Sequence, residues 1–367
     1  MMEKTLTRIR YPLMAAGMAC LLAGIVAGLL RLNMSLFLIT PGLAVIHGPL
    51  MVCGFVGTVI SLERAVALGK PWGYLAPLLS ALGGLSTLFG FADSAGVVLF
   101  LLASVFLTAI YAVILRRQME MFNVTMALGA VAWGGASIFW FFQYPVSYFV
   151  LWWGGFLILT IGGERLELSR FVQPPQSART LFTALLGIFL AGMIIVPFNH
   201  TVGAKAYGAS MFCMAVWFFI YDIPRRTVTQ KGLTRYVAVS LLAGYFSLAM
   251  SGLLLATQPG WPDNDFYDPV LHSLFLGFAF SMIFGHAPII FPAVLKLAVP
   301  YSPAFYVHLG LLHISLALRV MASIFDFSFT HAVGGALNAL AIIIFLLNTV
   351  VAIIRGIILK PGVENVR

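Results

Sequence analysis

The chain is 367 residues long, 61% of them hydrophobic and only 9% charged, with a mean hydropathy of +1.01. Soluble domains carry about 25% charged residues, so a water-soluble globular fold is excluded. The net charge of +9 is spread over many short loops with no basic stripe, which fits membrane orientation and gives no reason to expect a nucleic-acid partner.

At roughly 20 apolar residues per bilayer crossing, the length holds about a dozen spans and leaves nothing for a separate soluble domain. Apolar runs of spanning length lie at residues 11–30, 41–68, 73–91, 95–115, 122–142, 146–163, 181–198, 202–220, 236–257, 269–295, 304–325 and 329–354. The predicted fold is therefore all-α, a polytopic protein with 12 transmembrane helices forming a single membrane domain over residues 1–367 in contact with the lipid bilayer. Basic residues precede the first run, as in a signal peptide. That run is long, lacks a clear cleavage site and is followed by eleven more, so it reads as an uncleaved first helix.

Lys and Arg collect in cytoplasmic loops. The termini and the loops after even-numbered spans hold Lys4, Arg8, Arg10, Arg64, Lys70, Arg116, Arg117, Arg165, Arg170, Arg179, Arg225, Arg226, Lys231, Arg235, Lys296, Arg355, Lys360 and Arg367, which is 18 of the 21 basic residues. The opposite loops hold Arg31 and Lys205, beside Asp93, Asp263, Asp265, Asp268 and Asp326. Both termini are expected in the cytoplasm, with the chain in the cytoplasmic (inner) membrane of a prokaryote. The remaining basic residue, Arg319, lies deep in span eleven, where an unpaired charge costs a few kcal/mol. It needs an anionic partner.

Cys20, Cys53 and Cys213 all sit inside apolar runs and form no CxxC pair, which excludes a disulfide framework or zinc knuckle. No Walker loop, GxGxxG, HExxH or GxSxG pattern is present, so phosphate cradles, dinucleotide folds, zincins and hydrolase elbows have no support. Trp and Tyr near span ends, Trp152, Trp153 and Trp261 among them, read as an interfacial belt.

Spans two, six and ten share a register. Gly54-Phe55 leads nine residues on to Glu63, Gly155-Phe156 nine on to Glu164, and Gly277-Phe278 nine on to His286. A match at every fourth span suggests three pseudo-repeats of four helices.

Imidazole inside a bilayer marks a functional site by default. His47 and His272 lie six and three residues into inward-running spans two and ten, within about 10 Å of the outer end at 1.5 Å per residue. Two imidazoles at one level can supply both axial ligands of a low-spin b-type haem, or each can hydrogen-bond a carbonyl across helices. Gly48, Gly54, Gly57 and Gly277 would leave room for a flat macrocycle. Arg319 lies near the same level and would pair with a haem propionate, or with Asp326 or Asp268.

His286 and His313 form a second level, at which Glu63 and Glu164 would also lie. That set suits a copper, iron or zinc ion or a second haem, and equally a proton path. The plainer alternative is that Glu63-Arg64 and Glu164-Arg165 cross-link helix ends. His308, His200 and His331 are assigned only interfacial polarity. The acidic loop from Gln258 to Asp268 would cap the outer site, bind a cation or serve as a solvated turn.

At His47 the segment HGPLMVCGF resembles the HGxxM segment of the haem–copper oxidase catalytic subunit, where the histidine ligates a low-spin haem. From His272 the segment HSLFLGFAFSMIFGH is closer to the NnrS family, twelve-span haem-containing relatives linked to nitric oxide tolerance. The matches are His272, Gly277 and Gly285-His286, with Arg319 in the following span. The chain departs from both patterns. Spans six and seven carry no histidine, so the oxidase copper site is missing, Gly48 replaces an acidic residue, and Ala287-Pro288 follows the Gly-His.

The resemblance implies a haem-binding membrane protein with a redox or nitric-oxide-related role. Its ligands would be His47 and His272, with Arg319 holding a propionate and a quinone or periplasmic electron donor as partner. If it turns over, it is an oxidoreductase or electron-transfer component. The alternative is a proton-coupled secondary transporter using intramembrane His and Glu.

Overall fold

A computed structural model describes residues 2–34, 41–90 and 94–358. Phe91, Asp93, Lys360 and Arg367, and the side chain of Lys4, used above in placing spans and charges, lie outside the described residues. Among those residues there are helices and no strand.

Among the described residues twelve helices are long and apolar enough to cross a membrane: Leu6–Arg31, Gly42–Leu68, Pro71–Phe89, Ala95–Arg117, Met121–Phe141, Val146–Ser169, Gln176–Ile195, His200–Tyr221, Gly232–Thr257, Tyr267–Leu295, Phe305–Ile324 and Ser328–Ile358. They match the twelve apolar runs, here numbered spans one to twelve. The helices outlast the runs where polar residues continue the hydrogen-bonded ladder. Span six runs on through Glu164, Arg165 and Glu167 to Ser169, because a helix needs no apolar side chain once it leaves hydrocarbon. Spans two and three end on left-handed glycines, Gly69 (φ 67°) and Gly90 (φ 66°), a conformation open to a residue without Cβ.

The helices cluster into two compact units. Unit 1 comprises Met1–Gln173, Leu186–Tyr207 and Pro259–Asn264. Unit 2 comprises Pro174–Leu185, Gly208–Gln258 and Asp265–Arg367.

In unit 1, small residues bring spans one, two and three together. A Cβ on Gly54 would stand 3.0 Å from the Cys20 side chain and 3.4 Å from the Cα of Gly84. Such close approach is how helices gain packing in lipid, where the hydrophobic effect does not drive them together. Trp133 of span five stacks on Phe156 at 5.0 Å and donates Nε1–H to Cys53 Sγ at 3.3 Å. Gly155 meets Met193 of span seven. Cys20 and Cys53 are buried packing residues, whereas Cys213 is exposed.

In unit 2 the corresponding glycine of span ten, Gly277, sits against Ser247 of span nine and Leu316 of span eleven; a Cβ there would fall 2.5 Å and 2.7 Å from them. Gly334 lets span twelve approach the backbone of Arg319, which a Cβ would meet at 2.9 Å.

Two spans depart from α geometry. Leu50–Gly57 of span two and Ser273–Phe280 of span ten are π-helical, eight residues each. In both, the Gly-Phe pair occupies the fifth and sixth positions. The matching pair of span six, Gly155-Phe156, lies in uninterrupted α-helix. A widened turn shifts the carbonyl ladder and clusters at functional sites; here one begins three residues after His47 and the other one residue after His272.

Candidate functional site

Span one receives the His47 side chain. The imidazole Nδ1 lies 2.7 Å from the Gly24 carbonyl oxygen, so Nδ1 carries the proton and Nε2 the lone pair. The ring fits because Gly28, one turn on, has no side chain. A Cβ there would stand 2.8 Å from Cε1 and 2.9 Å from Nδ1. Gly28 thus forms a notch that sets the place of this histidine, and the Gly24 carbonyl sets its tautomer; the missing side chain of Gly24 itself makes room for Met51.

In unit 2, Asp268 is the hub. It occupies the first turn of the helix Tyr267–His272, where the partial positive charge of the amide ends favours a carboxylate. Arg319 grips it with two bonds, Nε to Oδ2 at 2.9 Å and Nη2 to Oδ1 at 2.7 Å. His331 of span twelve places Nε2 at 3.0 Å from Oδ2. His272, four residues on and so on the same helix face, places Nδ1 at 3.0 Å from Oδ1 and equally from the Asp268 carbonyl. With two acceptors facing Nδ1, that atom is the donor, and the lone pair again falls on Nε2.

Asp268, one of the two aspartates weighed above, is therefore the anion that answers Arg319. The guanidinium side chain is 10% exposed and Asp268 30%, so the pair is sheltered. His331, assigned no role from the sequence, completes the cluster. Two signals could have found it: Asp268 and His272 at i,i+4 spacing, and the glycine pair Gly334-Gly335 one turn after His331.

The glycines expected to clear space for a macrocycle do something else. Gly54, Gly57 and Gly277 face Cys20, Trp133 and Ser247 respectively, and Gly48 lies in ordinary contact with Trp153 at 3.4 Å. They admit neighbouring helices, and the glycine that makes room for imidazole is Gly28 of span one instead.

The second metal level is not assembled. Among the described residues no group of three or more His, Cys, Asp or Glu side chains could hold a metal ion. His313 Nε2 bonds Ser281 Oγ at 2.8 Å, and His286 Nδ1 faces the Met282 carbonyl at 2.7 Å. Glu63 and Glu164 are bridged by Arg64, so a fixed positive charge stands where a cation would have to enter. The plainer cross-link holds, in the sense Arg64 with Glu164.

A family model described as a domain of unknown function (DUF8744) matches residues 10–354. The chain belongs to that family. No curated protein and no solved structure matches it.

His308, read as interfacial, is 1% exposed. Its Nε2 lies 3.0 Å from the Tyr236 hydroxyl and its Nδ1 3.1 Å from Asn348 Nδ2. Phe284 and Phe345 pack edge-on at 4.7 Å and 5.4 Å. With both ring nitrogens engaged, this imidazole cross-links spans nine, eleven and twelve and has no lone pair to offer a metal.

Proposed function

We propose that the chain is a haem-binding integral membrane protein with a redox or nitric-oxide-related role, in which His47 and His272 are the axial ligands of a b-type haem. The observation that carries this is the shared tautomer of the two histidines. Each donates Nδ1–H within its own unit, His47 to the Gly24 carbonyl and His272 to Asp268, and so carries its lone pair on Nε2. Metal-ligating imidazoles are ordinarily fixed in this way by a carbonyl or carboxylate on the other nitrogen, which sets ring orientation and raises basicity. The donor set therefore fits a haem iron.

A bound haem would supply one-electron chemistry or a gas-binding iron. The residues of this chain do the positioning. The Gly24 carbonyl and the notch at Gly28 hold the His47 ring, while Asp268 holds His272 and is itself gripped by Arg319 and steadied by His331. Arg319 thus acts on the His272 side through Asp268, and would hold a propionate as well. The π-helical stretches next to both histidines, with Gly-Phe in the same register, support descent of spans two and ten from one repeated unit. The packing of Gly54, Gly155 and Gly277 against the spans before and after their own supports a threefold arrangement of four-helix units. The charge bias supports cytoplasmic termini in a prokaryotic inner membrane. The likeness to NnrS supports the redox or nitric-oxide class, with a quinone or periplasmic donor as electron source.

Absorption spectra of the purified protein test the reading. A Soret band is expected in the wild type, weakened in His47→Ala and in His272→Ala and lost in the double variant. A double variant with an unchanged band would remove both histidines from ligation.

A further inference from the structure

Unit 1 contains a second set of polar groups that the haem reading leaves unused. At the Arg-rich end of spans two and six, Arg64 bridges Glu63 and Glu164, with side chains 13%, 27% and 24% exposed. Tyr111 of span four lies within range of the charges of all three and is fully buried, yet its hydroxyl has no hydrogen-bond partner among the described residues. The other fully buried tyrosines behave differently. Tyr207 donates to Leu151 O, Tyr236 to Phe284 O and Tyr245 to Asp222.

Two more buried hydroxyls near this cluster are unpartnered, Ser61 Oγ and Thr160 Oγ1, together with Arg64 Nε. Ser61 lies three residues before Arg64 and Thr160 four before Glu164, each within one turn of the cluster. Buried Ser and Thr in a helix ordinarily bond back to a carbonyl three or four residues earlier, as Thr58, Thr125 and Ser137 do here. Ser61 and Thr160 are 0% and 1% exposed and do not. Orphaned polar groups gathered at one place in an apolar interior are the usual sign of bound water, which supplies the missing bonds.

The polar track continues toward the π-helical stretch of span two. Thr58 is one turn from Ser61 on the same face. Its Oγ1 lies 3.0 Å from Ser80 Oγ, which donates to Cys53 O at 2.8 Å. Thr58, Ser61 and Ser80 are all 0% exposed.

We propose that these orphaned groups line a water-filled proton inlet. Glu63 and Glu164 exchange protons with the solvent, and water held by Tyr111, Ser61, Thr160 and Arg64 Nε carries them inward. The Thr58 and Ser80 hydroxyls, turning from the Gly54 and Cys53 carbonyls they bond at rest, each take one proton from that water and release their own to water on the far side, at the π-helical stretch of span two. Each transfer makes one O–H bond as it breaks another, so no oxidant or reductant is needed. The inference does not depend on haem.

Radiolytic hydroxyl-radical footprinting of the full chain in nanodiscs reads the water directly, because a buried side chain is modified where water stands beside it. Tyr111 should be modified several-fold faster than Tyr207, which is equally buried but hydrogen-bonded to protein. A Tyr111 rate no higher than that of Tyr207 overturns the water. In vesicles with a trapped pH dye and an imposed potassium diffusion potential, wild-type protein should pass protons faster than protein-free lipid. The pair Glu63→Gln with Glu164→Gln should return the rate to that of lipid, and Tyr111→Phe, which keeps the ring volume, should slow it several-fold. Wild-type flux equal to that of lipid, or unchanged flux in the Gln pair, overturns the inlet. A Soret band that is absent, or unchanged in the His47→Ala, His272→Ala double variant, leaves both results as they are, so failure here and failure of the haem reading are distinguishable.

Discussion

Gly28→Ala isolates the notch that orients His47. The added methyl would stand 2.8 Å from Cε1, whereas ordinary contact begins at 3.4 Å, so the ring must retreat by 0.6 Å or tilt away. Either movement lengthens the 2.7 Å bond from Nδ1 to the Gly24 carbonyl beyond good geometry. Losing the partner that fixes a ligating imidazole lowers metal affinity by about 10–100-fold. Span one itself should not suffer, because Ala is favoured over Gly in a helix interior by about 1 kcal/mol. The two effects separate in one experiment, in which haem is titrated into apo-protein in detergent and followed at the Soret band beside a thermal melt of the same apo-protein. Gly28→Ala should melt no lower than wild type and bind haem at least tenfold more weakly, on the scale just given. Gly17→Ala, whose methyl would meet Thr58 at an ordinary 3.5 Å, should leave haem affinity unchanged. Wild-type affinity in a folded Gly28→Ala protein would refute the role of the notch.

Asp268→Asn removes the charge that Arg319, His272 and His331 share; bonds to charged groups are worth about 1.5–3 kcal/mol, so the melting midpoint should fall and haem binding weaken, with Arg319→Met restoring part of the stability. An undiminished midpoint in Asp268→Asn would show that the cluster contributes nothing. His308→Ala should keep the Soret band of wild type while losing about 2–5 kcal/mol, as expected for emptying a packed interior site; a changed band would make His308 a ligand. Gly277→Ala forces a methyl to within 2.5 Å of Ser247, and overpacking of this kind costs about 1–3 kcal/mol. Chemical denaturation should show that loss and its partial recovery in combination with Ser247→Gly.

The spans were legible because hydrocarbon imposes one requirement, about 20 apolar residues in a row, that a sequence displays directly. Their ends were less so, since Glu164 to Ser169 is helical without being apolar. The π-helical stretches left no trace in hydropathy, and Gly-Phe does not mark them either, since span six carries the same pair in α-helix. His47 and His272 stood out by residue type and depth, but their tautomers depend on Gly24 and Asp268, and His47 is linked to Gly24 only by folding. Arg319 announced the need for an anion, and the sequence offered Asp268, Asp326 and a propionate as candidates. Only the bidentate geometry selected Asp268. His331 was passed over because a histidine at a helix start looks like interface polarity until the glycine contact of span twelve with Arg319 is seen. The orphaned hydroxyls of Tyr111, Ser61 and Thr160 could not be read from sequence at all, since being without a partner is a property of neighbours.

The most direct measurement on the central claim is the electron paramagnetic resonance spectrum of the oxidised, purified protein. Two imidazole ligands on ferric haem give a low-spin signal, and removing either one, in His47→Ala or His272→Ala, should convert it to high spin. Wild-type protein without a low-spin ferric signal, or one that persists unaltered in both variants, would contradict ligation by these two histidines.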